Sequence, residues 1–418
     1  MNILIKSATI IDSKSDFNNA KQDILIENGT ILKIAKNIET PNNYPEITLD
    51  NLHVSPGWFD SSVSFGEPGF EERETINNGL KVAAASGFTT IALNANTNPV
   101  SDSNSHITYV KTKTANNAVT VLPIGALTVG CKGEDLAELY DMTTAGAVSF
   151  YDYKKPISNP NLMKIALQYA ANFNGLIQSF PQENNLVGKG VVNEHITSTK
   201  LGLKGIPALA EELQVARDLF LLEYTGGKLH IPTISSAKSV ALIKEAKKKK
   251  LDVTCSVAIH NLFFTDAVLT SFDSNFKVLP PLRTKTDIDA LIEGLNDGTI
   301  DMVTTDHMPI DIEEKKVEFD HAAYGSIGLE TAFGALQTIF NTQKTVDILT
   351  KGKQRFGATS TAINIGAHAN LTLFNPEGKY TFSNNNIIST SKNSMFLNAT
   401  LKGTVYGIIA NNTLAINQ

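Results

Sequence analysis

The strongest constraint on the fold of this chain is an alternation of short apolar runs with amphipathic stretches across its middle. The apolar runs predict strands over residues 89–93, 119–122, 148–150, 175–177, 228–231, 253–257 and 302–305. Helical patterns lie between them; over residues 208–222 one apolar face is predicted to contain Ala210, Leu213, Ala216, Leu219 and Phe220. Strands that alternate with helices indicate βαβ units and a parallel sheet.

About 300 residues of this kind fit a (β/α)8 barrel, whose functional residues lie at the C-terminal ends of the strands. The fold class is therefore predicted to be α/β, with a TIM barrel over residues 53–360. A doubly wound sheet is the alternative. The sequence contains no GxGxxG or Walker-type motif that would support it.

Both ends of the chain have strand patterns instead. Near the N-terminus, an Asn28-Gly29 turn separates apolar residues 23–26 from residues 31–34, as in a hairpin. Residues 371–374 and 404–409 have a similar pattern near the C-terminus. Residues 1–52 and 361–418 are predicted to form one small β-sandwich-like domain that brackets the barrel.

Composition excludes several classes of function. The net charge of −6 argues against binding to nucleic acid. The sequence has no 18-residue uncharged apolar run and no secretory leader, so we predict a cytoplasmic protein without a membrane span. Cys131 and Cys255 lie 124 positions apart without a metal-type spacing, which predicts two buried structural thiols.

Several motifs in the predicted barrel occur together and in order along nearly the whole chain. They are Pro-Gly-Trp-Phe-Asp at 56–60 and the stretches at 67–75, 84–90, 96–99, 205–212, 280–283, 301–307 and 325–331. This set resembles the long form of dihydroorotase, within the amidohydrolase superfamily. The resemblance implies a TIM barrel with a β-sandwich-like domain, a zinc cofactor, and interconversion of carbamoyl aspartate and dihydroorotate in pyrimidine synthesis.

The metal positions implied by that resemblance differ in this chain. The family's His-x-His pair at the end of the first barrel strand falls on Ser62 and Ser64, and zinc prefers Cys, His and carboxylate ligands to neutral hydroxyls. The family's paired aspartates fall on Asp152 and Tyr153. The remaining metal positions fall on Phe180, Thr233 and Asp306.

Substrate positions differ as well. The family's arginine for the substrate carboxylate falls on Gly66, an asparagine falls on Leu279, and a histidine falls on Ile310, whereas Asn96 is retained. Together with Phe180 and Thr233, the side chains of Leu279 and Ile310 are predicted to form an apolar plug in the former site.

We therefore predict a non-catalytic protein with no cofactor, in which Asp306 and Asn96 are vestigial. A catalytic zinc lowers the pKa of water from about 15.7 to about 7. Without zinc, a carboxylate acting alone would face a deficit of roughly 11 kcal/mol. The resemblance further implies aspartate transcarbamoylase as a partner, for which such a chain would serve as a scaffold, and we expect a homo-oligomer.

Two alternatives remain open. One is an active zinc-dependent dihydroorotase, or another cyclic amidohydrolase, with a rearranged site that includes His230, His260, Asp152 and Asp306. The other is a small-molecule sensor that keeps the pocket without the chemistry.

Overall fold

The computed structural model describes residues 1–41 and 44–417. Its strands are β1 (Ile3–Ile10), β2 (Lys21–Glu27), β3 (Thr30–Ala35), β4 (Glu46–Ile47), β5 (His53–Pro56), β6 (Trp58–Val63), β7 (Phe88–Leu93), β8 (Thr120–Gly125), β9 (Ser149–Phe150), β10 (Leu176–Gln178), β11 (Val192–Asn193), β12 (Gly205–Ile206), β13 (Lys228–Ile231), β14 (Val253–Ala258), β15 (Met302–Thr304), β16 (Leu371–Thr381), β17 (Thr400–Ala410) and β18 (Thr413–Ile416).

Eight strands form the barrel. They pair in parallel in the order β15-β14-β13-β10-β9-β8-β7-β6. A parallel bridge between Val63 and His307, with the Ser64 N–H donating to the His307 carbonyl at 2.8 Å, joins the two ends of the sheet. The predicted α/β barrel is confirmed, and its C-terminal strand ends converge on one mouth.

The terminal strands form a second, eight-stranded sheet. Its order is β18-β17-β16-β5-β1-β2-β3, with β4 paired to β1. The predicted hairpin appears as β2 and β3, and Gly29 supplies the positive φ of 74° that its turn requires. The division at residues 52/53 and 360/361 stays a prediction; strand β5 pairs with β1 and β16 of the terminal sheet.

The α-helices cover the outside of the barrel or lie in its connecting loops. They are α1 (Ile76–Ala85), α2 (Asn104–Lys113), α3 (Leu139–Ala145), α4 (Pro160–Ala171), α5 (Asn184–Val187), α6 (Ile196–Leu201), α7 (Ala208–Thr225), α8 (Ala237–Lys248), α9 (His260–Phe263), α10 (Lys285–Asp297), α11 (Ile312–Lys315), α12 (Ala332–Ile339) and α13 (Thr342–Thr350). No helix within these described residues is both long and apolar enough to span a membrane. Both cysteines are free and buried, as predicted.

Helix α7 buries only part of the apolar face predicted from its periodicity. Ala210 and Leu219 of that face are buried, whereas Leu213 and Phe220 are exposed and the polar Asp218 is buried. Apolar spacing alone therefore did not define the buried surface of this helix.

Candidate functional site

The candidate site lies at the barrel mouth, around the carboxylate of Asp306. This residue follows β15, has a φ of 50°, and is only 2% exposed. One carboxylate oxygen accepts hydrogen bonds from the Tyr153 hydroxyl at 2.9 Å and the Ser62 hydroxyl at 3.3 Å. The structure thus brings three of the positions singled out by sequence into direct contact.

The other oxygen of Asp306 faces a lysine that sequence reasoning missed. The Lys154 ammonium lies 2.7 Å from Asp306 Oδ2, and the Lys154 side chain is only 10% exposed. Lys154 directly follows the two positions that correspond to the family's paired aspartates. A basic residue beside a lost acidic ligand was the available signal.

The serines at the end of β6 belong to a neutral hydrogen-bond network. The side-chain amide of Asn94 donates to the hydroxyls of Ser62 at 3.1 Å and Ser64 at 3.2 Å. Ser64 in turn donates to the Asn96 side-chain oxygen at 3.0 Å. Asn96 therefore lies beside the former first-strand ligand positions and is connected to Asp306 through Ser64, Asn94 and Ser62.

Asp152 and Asp60 are buried carboxylates with local partners. Asp152 accepts hydrogen bonds from the backbone N–H groups of Leu127 at 2.8 Å and Thr128 at 2.9 Å, and burial raises its pKa. Asp60 accepts from the Thr305 N–H at 3.0 Å, and burial raises its pKa to about 6. Both carboxylates stabilise loops at the strand ends.

The buried histidines near the mouth are neutral. Burial lowers the pKa of His230 and of His307 to about 3; for His260, burial and then the positive charge of Lys154 have the same effect. The His230 Nδ1 lies 2.9 Å from the Thr254 hydroxyl, and His307 Nδ1 accepts from the Gly328 N–H at 3.1 Å. His230 and the Nδ1 of His307 thus have structural partners, whereas the Nε2 atoms of His260 and His307 have no hydrogen-bond partner among the described residues.

The apolar plug predicted from four residues is supported for two of them. Phe180 and Leu279 are buried in one apolar cluster that also contains Tyr153. Thr233 and Ile310 lie outside that cluster: the Thr233 N–H donates to the Ser256 hydroxyl at 3.1 Å, and the Ile310 N–H donates to the Asn393 side chain at 3.1 Å. For Thr233 and Ile310, which are both buried, a place in the plug stays a prediction.

The position of the family's substrate arginine is closed by the backbone. A Cβ atom built on Gly66 would lie 1.8 Å from the Phe70 carbonyl oxygen, far inside van der Waals contact. This loop therefore has no room for any side chain at residue 66.

Zinc, which the family resemblance implies, does not fit the residues present. Among residues 1–41 and 44–417, no group of three or more His, Cys, Asp or Glu side chains is placed to hold a metal ion. The oxygens of Asp306 instead face two hydroxyls and an ammonium. A catalytic zinc requires about three protein ligands, and this mouth does not supply them.

Comparison with known proteins identifies the family. A family model described as "Dihydro-orotase-like" matches residues 52–239. A protein named dihydroorotase from Caldanaerobacter subterraneus subsp. tengcongensis is 40% identical over 97% of this chain and 95% of its own length. One from Pelotomaculum thermopropionicum is 40% identical over 98% and 97%, respectively.

Solved structures share the fold at lower identity. The L-hydantoinase of Arthrobacter aurescens superimposes with a TM-score of 0.85 at 20% identity, covering 99% of this chain and 95% of the other. This likeness concerns the fold alone. The full-length identity to the two dihydroorotases and the match to the family model show that the chain belongs to the dihydroorotase-like family of the amidohydrolase superfamily.

Proposed function

We propose that this chain acts in pyrimidine biosynthesis as a dihydroorotase-like protein that performs no hydrolysis itself and supports aspartate transcarbamoylase as a non-catalytic subunit. The observation that carries the proposal is the buried contact between Lys154 and Asp306 at 2.7 Å. In this proposal, Asp306 and Asn96 are vestigial site residues that now stabilise the barrel mouth.

The Lys154 ammonium supplies the positive charge that a metal would otherwise bring to Asp306. A metal bound to the same carboxylate would stand close to that ammonium. Two unit charges about 4 Å apart repel by about 4 kcal/mol at an effective dielectric constant of about 20, and a divalent ion doubles the repulsion. Zinc uptake would therefore require Lys154 to leave, which would break a buried ion pair.

Substrate recognition is also impaired in this proposal. Carbamoyl aspartate carries carboxylates, and the loop at Gly66 has no room for the arginine that would bind one of them. Leu279, at a substrate position of the family, is part of the apolar cluster with Phe180. An anionic substrate would thus meet hydrocarbon where the family has polar contacts.

The partner role is supported by what the chain retains. The full barrel and the terminal sheet remain, while Asp306 contacts the Lys154 ammonium and the hydroxyls of Tyr153 and Ser62. Such a pattern is expected if the fold is preserved by selection for assembly with a partner and not by selection for catalysis.

The first test is turnover of dihydroorotate and of carbamoyl aspartate, measured with zinc, manganese and cobalt added separately. The dihydroorotase of Caldanaerobacter subterraneus is the positive control. We expect activity at least about 10⁴-fold below that control, since the metal-generated hydroxide is missing. Turnover within about tenfold of the control would overturn the proposal and favour the rearranged site with His230 and His260.

The second test concerns the partner. Aspartate transcarbamoylase of the same organism is titrated with this chain and followed by sedimentation and by its own activity. We expect a complex and a change in activity or oligomer stability. A transcarbamoylase that neither binds the chain nor responds to it would overturn the scaffold role.

A further inference from the structure

A cavity of about 280 Å³ lies between helices α1 and α12 and strands β16 and β17. None of the side chains described above as contacting Asp306 lines this cavity, so it is separate from the candidate site. We call it the α1–α12 cavity. Its lining combines one carboxylate with several aromatic rings, and these two features together limit the kind of ligand that it fits.

The carboxylate of Glu330 is only half satisfied by the protein. Glu330 Oε1 accepts hydrogen bonds from the Ser389 N–H at 3.0 Å and from the Ser389 hydroxyl at 2.6 Å. Glu330 Oε2 is buried and has no hydrogen-bond partner within residues 1–41 and 44–417. Because buried polar atoms in folded proteins almost always have a partner, this oxygen indicates a group that binds beside it.

The negative charge of Glu330 has no counterion in the cavity lining. Among the described residues, no lysine, arginine or histidine lines the cavity. The Lys392 ammonium, from the same segment as Ser389, donates instead to the carbonyl oxygens of Ser389 at 2.7 Å and Ile387 at 2.9 Å. Burial raises the pKa of the Glu330 carboxyl, and the negative charge of Glu74 adds to this effect. A cation beside Glu330 would favour the charged carboxylate.

The other polar groups of the lining suit a ligand that donates hydrogen bonds. Ser86, which follows α1, is 5% exposed, and its hydroxyl has no partner in the described part of the chain. The side-chain N–H groups of Asn417 are already used, because they donate to the carbonyl oxygens of Ala85 and Val405, both at 2.9 Å. The lining thus offers a carboxylate oxygen and a hydroxyl as acceptors. An ammonium group, which only donates, matches them.

Aromatic rings form another part of the wall. Phe333, Tyr380 and Phe382 line the cavity, and Gly334 leaves room beside them, since a Cβ atom on Gly334 would lie 3.1 Å from the Tyr380 hydroxyl. Aromatic faces attract organic cations and also contact their alkyl groups. A calcium ion fits less well, because it takes about six to eight oxygen ligands and this lining has a single carboxylate.

We propose that the α1–α12 cavity binds a small organic ammonium ion, whose nitrogen donates to Glu330 Oε2 and whose alkyl chain lies along Phe333 and Tyr380. The volume of about 280 Å³ is just below the range of about 300–1,000 Å³ that is typical of ligand pockets, so the ligand is small. The inference concerns a cavity other than the barrel mouth and does not depend on the proposed function.

The first experiment is calorimetric titration of the full chain with butylammonium chloride at constant ionic strength. We expect saturable binding with a Kd of about 1 mM or tighter. The neutral analogue 1-butanol and the anion butyrate should bind at least about tenfold more weakly, because neither offers a positive charge to Glu330. Absence of saturation by butylammonium up to about 20 mM, or equal binding of 1-butanol, would overturn the proposal.

Glu330→Gln tests the carboxylate. Glutamine keeps an oxygen that can accept from Ser389 but removes the charge, so the Kd for butylammonium should rise at least about tenfold. Glu293→Gln, at an exposed glutamate of α10, is the matched control and should leave that Kd unchanged. The melting temperature of each variant without ligand shows whether it is folded. Unchanged binding by a folded Glu330→Gln variant would overturn the proposal.

Tyr380→Leu tests the aromatic wall and leaves the carboxylate in place, so the proposal stays testable if Glu330→Gln does not fold. The Kd for butylammonium should rise about threefold or more, because leucine is apolar but lacks the aromatic face. An unchanged Kd would contradict the contact with Tyr380.

Two further titrations separate other occupants from a free ammonium ion. Potassium and magnesium chlorides test inorganic cations, and the tripeptide Ala-Lys-Ala tests a lysine side chain of another protein. We expect neither metal ion to compete with butylammonium at equal ionic strength. A metal ion that displaces butylammonium, or a peptide that binds while butylammonium does not, would overturn the assignment to a small organic ammonium ion.

Discussion

Two halves of the barrel mouth differ in how their buried side chains are stabilised. On one side, around the ends of β6, β7 and β15, the Asp306 carboxylate contacts the Lys154 ammonium and the hydroxyls of Ser62 and Tyr153. After β10, Phe180 lies with Leu279 in a buried apolar cluster that extends to Tyr153. In the first, polar half a buried carboxylate is paired with an ammonium group. The second, apolar half is filled by hydrocarbon side chains.

The difference shows what a barrel must preserve when metal ligands change. A buried carboxylate without a metal needs another source of positive charge or hydrogen bonds. A position that no longer carries a polar group needs only to be filled at normal packing density. We therefore expect the free energy of unfolding to respond to changes of charge in the polar half and to changes of side-chain volume in the apolar half.

The largest effect should come from breaking the ion pair. Lys154→Met leaves Asp306 as an uncompensated buried charge and should lower the free energy of unfolding by about 4 kcal/mol. Urea denaturation followed by fluorescence of Trp58, the single tryptophan, reports on the barrel because Trp58 is buried in β6. Lys155→Met, at the exposed neighbouring lysine, is the matched control and should change stability by less than about 0.5 kcal/mol.

A double-mutant cycle sharpens this test. Asp306→Asn alone leaves the Lys154 ammonium unpaired, whereas Lys154→Met/Asp306→Asn removes both charges. The double variant should be more stable than the sum of the single changes predicts, by about 2 kcal/mol or more. If the two single substitutions had additive effects on stability, the 2.7 Å contact between Lys154 and Asp306 would contribute no coupling energy. The polar half would then show no special sensitivity to charge.

The next effect concerns volume in the apolar half. Phe180 is 1% exposed, and Phe180→Ala should lower the free energy of unfolding by about 3 kcal/mol through loss of buried area and a residual cavity. Phe272→Ala, at a 49% exposed phenylalanine, is the control and should cost less than about 1 kcal/mol. Equal costs for the two variants would show that Phe180 does not fill the former ligand position.

Much of the fold was predictable from local pattern. The strand predicted at residues 228–231 coincides with β13, and helix α7 begins at the predicted residue 208. Parallel βαβ units produce such patterns because each strand is buried on both sides and each helix covers the sheet. The burial of Glu211 and Asp218 on α7 was not predictable in this way, because both find hydrogen-bond partners outside the helix.

The candidate site shows the same limit. The assignment of family ligand positions to Ser62, Ser64 and Phe180 stays a prediction that rests on the order of motifs along the chain. The position of Lys154 beside the predicted acidic pair was visible in the sequence, but its contact with Asp306 was not, since lysines are usually exposed and Asp306 lies 152 positions further along the chain. A contact of that kind depends on tertiary structure, and the local spacing of apolar residues does not predict it.

The smallest of the three effects is a dependence of the free energy of unfolding on pH, which arises at His230 in strand β13. Burial lowers the pKa of His230 in the folded chain to about 3, whereas an unfolded histidine has a pKa of about 6.5. The unfolded chain therefore binds more protons between these values, and stability falls as pH falls from about 6.5 towards 3. At pH 5 this one group should cost about 2 kcal/mol relative to pH 7 or above.

His230→Gln removes that titration. The loss of unfolding free energy between pH 7 and pH 5 should therefore be about 2 kcal/mol smaller in the variant. We expect the slope of unfolding free energy against pH to change. The hydrogen bond need not be lost, because glutamine can still bond to the Thr254 hydroxyl, which lies 2.9 Å from the imidazole. Trp58 fluorescence in urea at each pH gives the measurement, and His321→Gln, at an exposed histidine, should leave the slope as it is. An unchanged slope in His230→Gln would mean that His230 is charged in the folded chain at pH 5. Both halves of the mouth would then hold charge, and the contrast between them would fail.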